Sequence, residues 1–249
     1  MLLAVDVGNT QTVFGTYDGA ELKEHWRIAT ERTNTGDELG ALYRSFLDLG
    51  GIGGICLSTT VPPLSQAYGE FSTRYTSADL LEVGPGTKTG IPIRYDDPRE
   101  VGPDRIANSV GAADRYGAPC IVVDFGTSTN FDVVSADGEY VGGVLAPGVE
   151  VSMDALAVRA ARLRTVDFVE PERVIGKTTV AALQSGVVYG FAGQVDGIVN
   201  AIRSELGSGA RVIATGGLAE LIAPHAQTIE HVDPFLTLEG LRLIWERNR

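Results

Sequence analysis

Cysteine is nearly missing from the 249 residues: Cys56 and Cys120 are the only two, inside the apolar stretches Ile55-Cys56-Leu57 and Cys120-Ile121-Val122. Two thiols so placed exclude a disulfide scaffold and act as small buried hydrophobes, which fits a reducing, cytoplasmic setting. Histidine is equally sparse (His25, His225, His231), so no zinc-type ligand set is on offer and any metal is expected to be bound through oxygen. No run approaches the ~18 apolar residues that a membrane-spanning helix needs. Met1 to Val5 is apolar, but it has no basic leader and reaches Asp6 within one short strand, which argues against a secretory signal. Positive charge is also short: 20 Lys and Arg against 32 Asp and Glu leave a net charge of -12. That balance lacks the basic footprint of a nucleic-acid binder. An anionic ligand would have to be held locally, by backbone N–H groups and a few cations.

What is present describes a globular α/β chain. Hydrophobic residues make up 44% and charged residues 21%, and the length allows one large domain or two lobes. Two are expected. Leu2–Val7, Thr12–Tyr17 and Leu22–Ile28 read as a β-meander with a turn at Asp18-Gly19. Thr35-Gly36-Asp37-Glu38 has capping-box spacing, and Leu39, Leu42, Phe46 and Leu49 continue at helical period until Gly50-Gly51. Ile52–Thr60 reads as a strand ended by Pro62-Pro63, and Leu80–Val83 as another. The Gly-, Pro- and Asp-rich segment from Gly84 to Pro103 predicts a long functional loop. Gly102-Pro103 then starts a helix with proline at its first position. Tyr116-Gly117-Ala118-Pro119 breaks the pattern, so residues 1–117 are expected to form the first lobe and residues 118–249 the second.

The opening theme returns after the break. Ile121 to Asn130 overlies Leu3 to Thr12 with Asp124 on Asp6 and Gly126 on Gly8, and Asp137-Gly138 answers Asp18-Gly19 after one inserted residue. A repeated strand-turn-strand element implies two similar lobes facing across a cleft. In Asp6-Val7-Gly8-Asn9-Thr10 glycine admits phosphate oxygens to backbone N–H groups, while Asn and Thr add donors without bulk. The carboxylate would repel phosphate unless Mg²⁺ lay between, held through water. Asp-x-Gly also occurs in ordinary hairpins; the second copy at Asp124 is what favours phosphate.

Gly176-Lys177-Thr178-Thr179 invites a P-loop reading and fails it, because Pro171 stands where that motif needs glycine. In Gly102-Pro103-Asp104-Arg105 a carboxylate and a guanidinium fall in the first turn of a helix. There Asp104 can accept a hydroxyl proton and Arg105 can clamp an anionic substrate, although an acidic helix start beside a surface arginine is also ordinary. Further helices are expected from Ser152 to Leu163, from about Thr179 to Arg203 and from Thr237 to Arg247, with a strand at Arg211–Thr215. On the second of these helices Gly186, Gly190, Gly193 and Gly197 share one face, either for packing within the lobe or as a seam between two subunits.

Together these segments resemble type III pantothenate kinase, a branch of the actin/Hsp70/sugar kinase superfamily. The resemblance runs nearly end to end, through Asp6 to Thr10, Tyr95-Asp96, Gly102 to Arg105, Asp124 to Thr129, Gly142-Gly143, Ala146 to Gly148, Gly176 to Thr179, Gln184 to Gly186, Thr215 to Gly217 and Leu236 to Leu241. It implies two ribonuclease H-like lobes and ATP-dependent phosphorylation of the 4′-hydroxyl of pantothenate, the first step toward coenzyme A, at a homodimer interface. It further implies that Asp6, Val7, Gly8, Asn9, Thr10, Gln11, Thr12 and Val13 cradle the ATP phosphates with Asp6 near Mg²⁺, and that Thr127 completes the nucleotide site. Asp104 would be the base. Tyr95, Gly102, Pro103, Asp104, Arg105 and Thr179 would hold pantothenate, with Arg105 on its carboxylate and Thr179, in preference to Thr178, coming from the partner subunit. Asp124 would bind a monovalent cation, K⁺ or NH₄⁺.

Two positions depart from the family pattern: Pro103 stands where alanine is usual, a small change at a first helical position, and Arg164 where proline is usual. Competing readings are a sugar kinase of the same fold, which would not need Arg105, and a non-catalytic nucleotide-binding regulator, which would not need Asp104 and Tyr95.

Overall fold

The meander expected at the N-terminus is β1 (Leu2–Val7), β2 (Gln11–Asp18) and β3 (Glu21–Ala29), antiparallel in turn. The structure, a computed structural model, describes residues 1–159, 166–207 and 209–249. Helix α1 (Gly36–Arg44) starts at the capping box: the Thr35 hydroxyl accepts from the Glu38 N–H at 3.3 Å, and the Glu38 carboxylate accepts from the Thr35 N–H at 2.8 Å. It stops before Phe46 and Leu49, because Ser45 caps it and the apolar pattern continues into a turn and a short 3₁₀ segment, Leu49–Gly51. Strand β4 (Gly54–Thr59) runs parallel to β1, and β5 (Asp79–Glu82) parallel to β4. Between them lies α2 (Pro62–Tyr75), where the sequence predicts only a proline stop; the prolines occupy the N-terminal positions where their missing N–H groups cost nothing. Helix α3 (Pro103–Tyr116) follows the long loop.

The second sheet contains β6 (Cys120–Phe125), β7 (Ser128–Val134), β8 (Tyr140–Pro147), β9 (Arg211–Gly216) and β10 (His231–Val232). Its helices are α4 (Val149–Arg159), α5 (Thr179–Leu206) and α6 (Ala219–Ile222), and α7 (Leu236–Arg247) closes the chain. The expected C-terminal end of α4 at Leu163, and Arg164 after it, lie outside the described residues.

The strand orders are β3-β2-β1-β4-β5 and β10-β9-β6-β7-β8. Counted outward from β1 or β6, each sheet has two antiparallel pairings in succession on one side and two parallel pairings on the other. The repeat seen in the sequence is therefore a repeat of topology, the ribonuclease H-like arrangement. Pairing also corrects its register. Val13 lies opposite Asp6 but Asn130 opposite Asp124, so the second turn is one residue shorter and Phe14 corresponds to Phe131, both fully buried.

Contacts divide the chain into Met1–Gly111 with Leu236–Arg249, and Ala112–Phe235. This differs from the boundary expected after Gly117: the change falls inside α3, and α7 belongs to the first unit. In that unit Leu3, Val5, Phe14, Ile55 and Leu57 meet Leu39 and Tyr43 of α1 and Leu64, Tyr68 and Phe71 of α2. Each such side chain contributes roughly 1.5–3 kcal/mol by burial. Strand alternation sends Ala4 and Asp6 to the opposite face, where α7 packs. A Cβ at Gly54 would strike the Trp245 ring, and one at Gly240 the Ala107 carbonyl of α3. One at Gly111 would stand 2.7 Å from the Leu236 carbonyl. In the second unit Ile121, Val123, Phe125, Phe131 and Ala214 pack on Val195 and Val199 of α5, Met153 of α4 and Ile222 of α6. Among the described residues no helix is long and apolar enough to cross a membrane.

Candidate functional site

Gly8, Asn9 and Thr10 form the first turn, with the Gly8 N–H donating to the Gln11 carbonyl at 3.0 Å. Val7 is buried, Thr12 is buried, Val13 is half-buried, and Asn9, Thr10 and Gln11 are exposed. The turn is braced from the end of β3: the Thr30 hydroxyl donates to the Gly8 carbonyl at 2.8 Å and pairs with the Thr12 hydroxyl at 2.9 Å, and the Thr30 N–H donates to the Thr10 carbonyl. Sequence reasoning missed Thr30, because it meets the turn only through the β2–β3 pairing. It also missed Ser58 of β4, which lies beside Asp6 in parallel register. The Ser58 hydroxyl is buried without a hydrogen-bond partner. A carboxylate beside an orphaned hydroxyl is an oxygen donor set suited to a hard cation such as Mg²⁺.

At the start of α3 the Ile106 N–H donates to the Gly102 carbonyl at 3.2 Å, so Gly102 caps the helix and Pro103 takes its first position. A Cβ at residue 102 would collide with Asp104 Oδ1, which is why glycine stands there. Asp104 Oδ1 is buried and has no hydrogen-bond partner. Burial pushes the Asp104 carboxyl above the ordinary aspartate range, and the Arg105 N–H and guanidinium offset this without cancelling it. Arg105 is 7% exposed.

The loop before α3 is held at its base by the C-terminus: Arg247 donates to the Thr89 carbonyl at 3.1 Å, and Asn248 exchanges two hydrogen bonds with the Lys88 backbone. Tyr95 is half-buried further along it, ahead of a 3₁₀ segment, Pro98–Glu100.

In the second unit Asp124 stands opposite Asn130 on β7 and Thr215 on β9. Asn130 Oδ1 is buried without a hydrogen-bond partner. Gly216, at φ 92°, leaves room for the Asp124 carboxylate that any Cβ would fill. No group of three or more His, Cys, Asp and Glu side chains able to hold a metal occurs among the described residues. One carboxylate with amide and hydroxyl oxygens is an all-oxygen donor set, the kind that hard cations take. Thr127 lies exposed in the shorter turn, and its carbonyl accepts from the Gly148 N–H at 3.2 Å. Gly148 packs so closely on Gly126 and Thr127 that a Cβ would not fit.

Thr178 and Thr179 differ in their duties. The Thr178 hydroxyl caps α5 by accepting from the Ala181 N–H at 3.1 Å, whereas Thr179 opens the helix, exposed.

The structure thus groups Asp6–Val13, Tyr95 and Gly102–Arg105 in the first unit, and Asp124, Thr127 and Thr179 in the second. A family model described as type III pantothenate kinase matches residues 2–201. Full-length relatives include the type III pantothenate kinases of Moorella thermoacetica, 53% identical with all of both chains covered, and Acidothermus cellulolyticus, 54% identical with 100% of this chain and 99% of the relative covered. Among solved structures, a Baf family protein of Campylobacter jejuni is similar at TM-score 0.63 and 18% identity, covering 99% of this chain and 98% of its own. The ROK hexokinase of Thermus thermophilus is similar at TM-score 0.53 and 13% identity over 100% and 99%. These structures share the fold alone. By the family model and by relatives more than half identical over the whole length, the chain belongs to the type III pantothenate kinase family.

Proposed function

We propose that this protein phosphorylates the 4′-hydroxyl of pantothenate with ATP, giving 4′-phosphopantothenate and ADP in the first step of coenzyme A biosynthesis. The observation that carries the chemistry is the buried Asp104 Oδ1 without a hydrogen-bond partner, at a glycine-capped helix start. A carboxylate held there above its usual pKa suits a general base: it takes the hydroxyl proton as the substrate oxygen bonds to the γ-phosphorus and the bond to the ADP oxygen breaks. Tyr95 and Gly102–Arg105 hold pantothenate, with Arg105 on its carboxylate. Asp6–Val13 and Thr127 hold the ATP phosphates. Asp6 holds Mg²⁺ through water beside Ser58, and Asp124 holds K⁺ or NH₄⁺ with Asn130 and Thr215. When bound, these cations neutralise phosphate charge.

The reading includes a homodimer, with Thr179 reaching the partner's substrate. Supporting it, Gly186, Gly190, Gly193 and Gly197 are exposed on α5, and a Cβ at any of them would meet nothing within 4 Å. Packing within the unit therefore gives no reason for the stripe, while a second backbone would. Val180 on the same helix is 52% exposed, and Ile175 just before it 82%. A cytoplasmic setting, with Cys56 and Cys120 as free buried thiols, completes the reading.

ADP release by the purified protein with Mg²⁺ and K⁺ tests this. Turnover is expected with pantothenate and not with a panel of sugars; sugar-dependent turnover alone would overturn the assignment.

A further inference from the structure

All three carbonyls of the first turn are held by residues 30–32. Gly8 and Thr10 are tied by Thr30, as described, and the Asn9 carbonyl accepts from Arg32 Nε at 3.3 Å and Nη2 at 3.2 Å. Arg32 Nη2 also donates to Asn9 Oδ1 at 3.1 Å, so one guanidinium grips both oxygens of this residue. In a trans peptide the carbonyl and the following N–H point opposite ways. Tying these carbonyls back toward residues 30–32 therefore turns the N–H groups of Asn9 and Thr10 to the other side of the turn, the arrangement that receives an anion. A second arginine, Arg27, donates to Gln11 Oε1 at 2.7 Å. In a chain of net charge -12, two guanidinium groups hydrogen-bonded to one exposed turn are a local reversal of sign.

We infer that Arg32 is a nucleotide-positioning residue: it fixes the amide-outward form of the Gly8–Thr10 turn, and its charge adds only a longer-range attraction for the ATP phosphates held on the other side. The inference rests on the reading that Asp6–Val13 cradle ATP. Arg27 acts alongside it by holding the Gln11 side chain. Arginine suits the task because its planar fork holds two acceptors at once, which a lysine ammonium does not do in fixed geometry.

The test compares R32Q and R32K with wild type, using R74Q as a charge-loss control, since Arg74 of α2 pairs with Asp37 of α1 on the exposed surface. Steady-state KM for ATP and for pantothenate, equilibrium ATP binding at low and high salt, and Tm are measured on the full chain. R32Q is expected to raise KM for ATP by about tenfold, the scale of a lost charge-assisted hydrogen bond, with KM for pantothenate within about twofold and an unchanged Tm. Its ATP binding should also respond less steeply to salt, and R32K should fall between the two. A wild-type KM for ATP in R32Q overturns the inference, as does equal weakening of both substrates with a lowered Tm. D6N separates the two levels. If D6N abolishes ATP binding while R32Q leaves it intact, only the role of Arg32 falls; if neither weakens ATP binding, the nucleotide lies elsewhere and the reading beneath falls too.

Discussion

If Asp104 is the base, as proposed, chemistry and stability meet in one carboxylate. Its pKa is raised above the ordinary 3.8 chiefly by burial, so its neutral form persists to higher pH than in the unfolded chain. The stabilisation belongs to that neutral form: it is fully present below the unfolded value and is lost as pH rises through the folded one. At neutral pH the native protein therefore carries a disfavoured charge, and Asp104→Asn should remove it. The expected outcome is a kcat lower by roughly 10²–10⁴ with a Tm equal to or above wild type, read by ADP release and thermal melting. Retained activity would remove Asp104 as base, and a lowered Tm would contradict the burial argument. In wild type the acid limb of the rate profile should fall above the ordinary aspartate value and vanish in the variant. Gly216 gives a second test at this scale. Alanine there must adopt φ 92° and would crowd Asp124 Oδ1 and the Phe125 backbone. About 1–3 kcal/mol of stability should be lost, and the K⁺ concentration for half-maximal rate should rise in a K⁺ titration; an unchanged K⁺ response would argue against Asp124 as the cation ligand.

At the scale of elements, the start of α5 separates a capping threonine, Thr178, from the exposed Thr179 proposed to reach the substrate. Thr178→Ala should cost about 1 kcal/mol of stability by removing the cap, visible in Tm, and leave KM for pantothenate near wild type. Thr179→Ala should do the reverse. If Thr178→Ala alone raised that KM, the substrate contact would belong to Thr178. The sequence made such element boundaries readable wherever the signal was local: the Thr35–Glu38 box, Pro103 at the head of α3 and Arg211 at the start of β9 all stand where they were expected. It misled where one signal serves two purposes. Pro62-Pro63 both ends β4 and begins α2, and only the first was read. The repeat was legible through Asp and Gly, but its register was not, because a turn shortened by one residue is visible only once strands are paired. The partners of the turns, Thr30, Arg32, Ser58 and Asn130, were hidden for the same reason, since sheet pairing rather than sequence spacing brings them there.

For the whole molecule, the open glycine face of α5 makes association testable apart from folding. Gly190→Leu adds a side chain where nothing lies within 4 Å and replaces a poor helix former. Tm of the isolated subunit should hold or rise, while light scattering, expected to show a dimer for wild type, should show monomer for the variant at the same concentration, with activity falling in step. A dimer that persisted would place the seam elsewhere. The topology carries one more consequence. Because Leu236–Arg249 belongs with Met1–Gly111, and Gly111 packs against the Leu236 carbonyl, the second unit is spliced into the first at two adjoining points. On the ribosome, the unit that begins first is therefore finished after the second: β1 and β4 emerge early, yet the helix that covers their Asp6 face is translated only after the whole of Ala112–Phe235. Until then the strand that leads into the Gly8–Thr10 turn has one bare side, so a nascent chain stalled before residue 236 should be protease-sensitive in the first unit while the second already resists cleavage.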